Sequence, residues 1–163
     1  VYQWVVLRYV TASPGAWRIA VTFTSVSTYY WMVFATDPSA NWAWQARRVG
    51  GDETIIGAAA NTQRHMLDYG TLSSAVAQAH RDTTAYNGNR TGALDGDSAP
   101  FDALYYGGSD VGLYANVEIV AHVIAHNTGA TTALPSAGQI ASMRSFLTSA
   151  YWRGYTGDSL GLP

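Results

Sequence analysis

Along residues 18–24 the chain alternates, with Ile19, Val21 and Phe23 on one side and Ala20, Thr22 and Thr24 on the other. That two-residue period predicts a strand with one buried face. The stretch before it, Tyr2 to Val10, is apolar on both sides and runs into the turn signal Ser13-Pro14-Gly15, so we expect a strand covered on both faces. Tyr29 to Thr36 is a further β-rich run, stopped by Asp37-Pro38-Ser39. Asn41 to Arg48 then sets Trp42, Trp44 and Ala46 against Asn41, Ala43, Gln45 and Arg47, and ends at Gly50-Gly51. Short strands are predicted at Glu53–Gly57, Arg64–Tyr69, Ser74–Arg81, Thr84–Asn87 and Asp102–Tyr106, and a long one at Tyr114–His126. The turn pairs Asp82-Thr83, Asn87-Gly88, Asp95-Gly96 and Gly107-Gly108 punctuate them. Many short strands with frequent turns describe a sandwich or a barrel.

One segment has the helical period instead. Ser136 precedes Gln139 in capping-box spacing, which supplies partners for two otherwise orphaned amides at a helix start. Ile140, Met143, Leu147 and Tyr151 follow on one helical face, predicting an amphipathic helix over about 137–150 that packs on the sandwich. There is no internal repeat or low-complexity tract, so we expect one domain over residues 1–153 and a loose tail over 154–163.

Composition narrows the class. Of 163 residues 48% are hydrophobic and 12% charged, enough apolar surface for a folded core. The net charge of −2 leaves no positive excess to neutralise phosphates, which argues against a nucleic-acid partner. All nine basic residues are Arg, which we read as the coding bias of a GC-rich genome. The absence of Cys excludes disulfides, thiolate metal sites and cysteine nucleophiles. No apolar run approaches the ~20 residues of a membrane-spanning helix, so membrane insertion is not expected. Val1-Tyr2-Gln3-Trp4 reads as mid-strand, not as a leader, and suggests a mature product or a piece of a longer protein.

From Arg64 onward the order of elements resembles the concanavalin A-like lectin/glucanase superfamily, in its laminin-G/pentraxin-like bacterial and phage branch. Residues 64–70, Arg-His-Met-Leu-Asp-Tyr-Gly, are similar to that family's WHHVAVTYDG strand. The Ser74–Asn87 hairpin follows, then Phe101 to Gly108 in the manner of its LxIGG strand. Tyr114 to Ile124 resembles FxGxIAEVIVY, and Leu134 to Met143 resembles the closing ALSxxEIAxL helix. The resemblance implies an all-β, antiparallel jelly-roll β-sandwich with one C-terminal amphipathic helix. The family normally opens with a strand and an FDGxDDYL-like segment, and neither precedes Val1. Without that strand an open sheet edge is expected, one that a neighbouring chain could fill.

Candidate chemistry is sparse. Catalytic members of the superfamily carry paired carboxylates on one strand face, as glycoside cleavage requires. Here the long strand offers only Glu118, and the other glutamate, Glu53, stands at a turn. No enzyme is therefore expected; a glycoside hydrolase, polysaccharide lyase or metal hydrolase is the weaker alternative. Glu118, His122 and His126 would stack as a zinc set on a helix. On a strand they share a face, but each lies ~13 Å from the next at ~3.3 Å per residue. We read them as a polar face with Val117, Ile119, Ala121 and Val123 buried opposite. His65 and His80 are read as structural. Asn87, Asn89, Asp95 and Asp97 offer hard oxygen donors for calcium, although Asn, Asp and Gly are also what any turn needs; otherwise no cofactor is expected.

Aromatic strands are the remaining handle, because sugars stack on Tyr and Trp faces in lectins. Trp42 and Trp44 read as core, which leaves Tyr29, Tyr30, Gln45 and Arg47 as the candidate ligand-binding set. The sequence thus points to a non-catalytic binding or adhesion domain recognising a glycan or a neighbouring protein. Its expected setting is extracellular or on a virion surface, as in a phage tail or capsid component. A purely structural assembly or decoration protein is the alternative.

Overall fold

A computed structural model describes residues 2–11, 14–25, 30–48, 51–70, 78–86, 89–91, 103–108, 113–125 and 135–151. The strands are β1 (Tyr2–Tyr9), β2 (Arg18–Ser25), β3 (Tyr30–Thr36), β4 (Asn41–Arg48), β5 (Gly51–Ala59), β6 (His65–Gly70), β7 (Gln78–Arg81), β8 (Thr84–Tyr86), β9 (Asn89–Thr91), β10 (Ala103–Tyr106) and β11 (Val117–Ala125). Among the described residues one helix, α1 (Ala137–Tyr151), follows them. They form a five-stranded sheet, β11-β1-β6-β7-β8, and a six-stranded sheet, β10-β2-β3-β4-β5-β9, both antiparallel.

The two sheets close over one core. Val5, Leu7 and Leu67 from the first sheet meet Phe34, Trp42 and Trp44 from the second, all buried. Trp44 stacks on Tyr86 with ring centroids 5.3 Å apart, and Trp42 meets His65 edge-on at 5.2 Å. The alternation read in β4 is therefore a real inward face: Trp42, Trp44 and Ala46 all belong to this core.

β1 is buried on both faces, as its unbroken apolar run predicts. Val5, Leu7 and Tyr9 face the opposite sheet, while Tyr2, Trp4 and Val6 lie beneath α1 with Met66, Ile140 and Leu147. The expected capping box is made: Ser136 N–H donates to Gln139 Oε1 at 2.8 Å and Gln139 N–H to Ser136 Oγ at 3.3 Å.

Two features depart from the expectations, and a third bears on where an open edge could lie. β9 was not foreseen; its three residues pair with Asp52, Glu53 and Thr54 of β5. The long strand begins at Val117, because Tyr114 instead makes an isolated parallel bridge to Ile19 in the other sheet. The chain thus steps from one sheet to the other across residues 114–117, with Ala115 N–H bonded to Gly107 O and Val10 N–H to Asn116 O. Finally, the first strand is not an edge: β1 sits between β11 and β6. Among the described residues the edge of that sheet next to the first strand is β11, the last strand in the chain.

Candidate binding cleft

A one-residue irregularity in β11 sets the geometry of the candidate site. Leu7 pairs with Ile119 and Val6 with Ala121, so Val120 is an extra residue in the ladder. Side chains alternate along a strand, and one inserted residue reverses the faces beyond it. Before the bulge Glu118 points outward, where Arg8 Nη2 reaches it at 2.8 Å and Arg64 Nη2 at 2.6 Å. Desolvation pushes the Glu118 carboxyl up, but the hydrogen bonds and charges of the two arginines outweigh it and hold it below its usual range. Beyond the bulge His122 turns inward, and Ala121 and Val123 pack on the helix side.

This corrects the sequence reading in two respects. Glu118 and His122 lie on opposite faces of β11, so they cannot share a metal ion; His126 lies outside the described residues. The apolar residues of the strand are also divided: Val117 and Ile119 pack on the inter-sheet core, Ala121 and Val123 beneath the helix. Among the described residues no group of three His, Asp or Glu side chains is placed to hold a metal.

The inward turn brings His122 to β10. Tyr106 Oη lies 3.0 Å from His122 Nδ1, and His122 Nε2 lies 2.9 Å from Oε1 of the buried Gln3. The amide oxygen can only accept, so Nε2 carries the proton and Nδ1 accepts from the Tyr106 hydroxyl. Burial pushes the His122 pKa down to about 4, so the ring is neutral at pH 7. The rings of Tyr106 and His122 meet edge-on, with centroids 5.7 Å apart.

Between these edge strands lies an open cleft of about 490 Å³, lined by Tyr106 and Gly107 on one wall and by Val117 and residues 119–122 on the other. That volume is typical of small-ligand sites. Tyr106 is 55% exposed and Tyr114, nearby, 67%. The Gly107-Gly108 pair shapes this end of the fold. Gly107 has φ +72°, a left-handed conformation that costs glycine little, and a Cβ on Gly108 would stand 2.6 Å from the Tyr114 ring.

The residues singled out from the sequence stand elsewhere. Gln45, half-buried on β4, donates to Thr54 Oγ1 at 3.3 Å. Arg47 stands opposite Trp31 and Asp52, and Tyr30 opposite Ser25 at the start of β3. Tyr29 lies outside the described residues. Gln45 is not among the residues that line the cleft. Of the calcium candidates, Asn89 stands opposite Thr54 on β9, while Asn87, Asp95 and Asp97 lie outside the described residues. His65 is held by Asp82 and Asn61, each at 2.8 Å, and His80 by Asp68 at 2.7 Å.

Tyr106, Gln3 and the partnership with His122 were missed. The only sequence signal was Tyr105-Tyr106 ahead of Gly107-Gly108, and nothing local says which tyrosine faces inward. Among the described residues no helix is long and apolar enough to cross a membrane. In comparisons with known proteins, no family model and no curated sequence matches this chain.

Proposed function

We propose that this chain is a non-catalytic binding or adhesion domain of the concanavalin A-like, jelly-roll kind. In this reading it recognises a glycan or a segment of a neighbouring protein at the cleft between β10 and β11. The observation that carries the reading is that cleft: an exposed tyrosine, fixed by a neutral, half-buried histidine, above an apolar wall. A ring held in one orientation gives a stacking surface with little side-chain entropy left to lose on binding. The wrap of the chain supports the jelly roll, since strands from the two ends, β1 and β11, lie side by side and the path crosses between sheets several times. Among the described residues, the lining side chains offer no carboxylate to act as acid or base in glycoside cleavage. An extracellular or virion-surface setting, such as a phage tail or capsid, follows from the resemblance.

The test compares the chain with its Tyr106→Ala variant on a glycan array and on an array of uncharged peptides, with and without a chelator. Binding on one array that survives the chelator and weakens at least tenfold in the variant is the expected result. Silence on both arrays, with firm assembly into particles, would overturn the reading in favour of a purely structural role.

A further inference from the structure

We infer that the occupant of the cleft is an extended, uncharged peptide segment of a partner, which adds to the five-stranded sheet along the outer edge of β11. The inference rests on the cleft being the ligand site and adds the class of ligand.

Among the described residues β11 pairs on one side only, with β1. An antiparallel strand at a sheet edge leaves half of its N–H and C=O groups pointing away from its partner. Here that edge forms a wall of the cleft from Val117 to His122, including the consecutive residues 119–122. A wall that includes four consecutive residues exposes main chain as well as side chains. Its length is about 17 Å at ~3.4 Å per residue, room for a segment of five or six residues. The opposite wall, Tyr106 and Gly107, can cover such a segment from the other sheet.

The lining also specifies the chemistry of the segment. Tyr106, Val117, Ile119, Val120, Ala121 and the neutral His122 bring no charge to the cleft. A charged side chain entering it would lose hydration, and among the described lining residues none offers an opposite charge to meet it. Apolar, β-branched side chains at alternate positions fit the wall of Val117 and Ile119. The Tyr106 hydroxyl, whose proton is committed to His122, is left as an acceptor. The bulge at Val120 bends β11 within this stretch, so a short flexible segment that can follow the bend suits the edge better than the preformed, bent β11 of a second copy.

The probe is a library of end-capped heptapeptides with Val, Ile or Thr at alternate positions and no charged residue, screened by fluorescence anisotropy. Binding is followed by amide hydrogen exchange on the complex. The best binder is then remade with N-methyl groups on the amides of one edge and, separately, of the other. One methylated form is expected to lose at least tenfold in affinity while the other retains it. Exchange is expected to slow at β11 amides between Val117 and His122, and Tyr106→Ala to weaken binding. A binder indifferent to both methylation patterns, or no binder at all, overturns the added strand. Tyr106-dependent glycan binding with unchanged exchange along β11 overturns it too, yet leaves the cleft as the ligand site. Concentration-dependent dimers that protect the same amides would assign the edge to a second copy and likewise overturn it.

Discussion

His122 sits where burial and hydrogen bonding both favour the uncharged ring. Its Nδ1 accepts from Tyr106 and its Nε2–H is taken by Gln3, so an added proton requires the Tyr106 hydroxyl to turn around. Because the folded pKa is about 4 against an ordinary 6.5, the unfolded chain binds more protons between those values. The stabilisation is fully present above pH 6.5 and is lost as pH falls toward 4. Partial solvent access reduces the full ~1.4 kcal/mol per unit, leaving about 2 kcal/mol. Urea unfolding at pH 7 and pH 4 should show this difference, and His122→Gln should shrink it. An unchanged slope in the variant would move the effect to another group.

At the scale of elements, the docking of α1 on the five-stranded sheet combines an apolar seam with a buried charge. Ile140 and Leu147 lie against Trp4, Val6 and Met66. Beside them, the fully buried Asp68 accepts from Tyr2, from His80 at 2.7 Å and from Arg144 Nε at 2.6 Å. Burial, together with the Asp68 charge, pushes the Tyr2 phenol well above its usual range, so it remains a donor. Removing one partner of such a pair leaves the other desolvated, at a cost of roughly 3–5 kcal/mol. Asp68→Asn is therefore expected to destabilise at least as much as Leu147→Ala, for which about 2–5 kcal/mol is usual. Chemical denaturation of both variants, with helix content followed by circular dichroism, ranks the two. A loss below about 1 kcal/mol for Asp68→Asn would mean that Arg144 finds water instead. Gly70 belongs to the same arrangement: a Cβ there would stand 2.0 Å from the Tyr2 ring, so the tyrosine needs a glycine opposite it.

Across the whole molecule, the two sheets share one core in which Trp42 and Trp44 are the largest fully buried side chains. Trp44 packs on Tyr86 of the other sheet, so Trp44→Ala should loosen both sheets together. A cost of about 3–5 kcal/mol is expected, with tryptophan fluorescence and far-ultraviolet circular dichroism shifting to the same new midpoint. Separate midpoints would show that the sheets unfold independently.

The division between what was legible in the residues and what was not follows from range. Alternation in Asn41–Arg48, the two-sided apolar run of β1 and the Ser136–Gln139 cap are local patterns, and each element forms where its pattern stands. Alternation also locates Arg18–Ser25, but the one buried face expected there is not what forms: a register shift between Ile19 and Val21 puts Ile19 in a separate cluster from Val21 and Phe23, and Thr22 and Thr24 are buried as well. These patterns depend on periods of two and 3.6 residues that neighbouring positions already display. The bulge at Val120 has no such signature, because it exists only in the register between β11 and β1, more than a hundred residues apart in sequence. That single offset separates Glu118 from His122 and brings His122 to Tyr106. Likewise, nothing near Asp68 announces Arg144, and nothing near Tyr106 announces Gln3. By itself the sequence determined most of the elements, the inward face of β4 and the absence of thiol chemistry. Which edges adjoin, which way His122 points and where the cleft opens were decided only by tertiary pairing, since those properties belong to pairs of strands and not to any one of them.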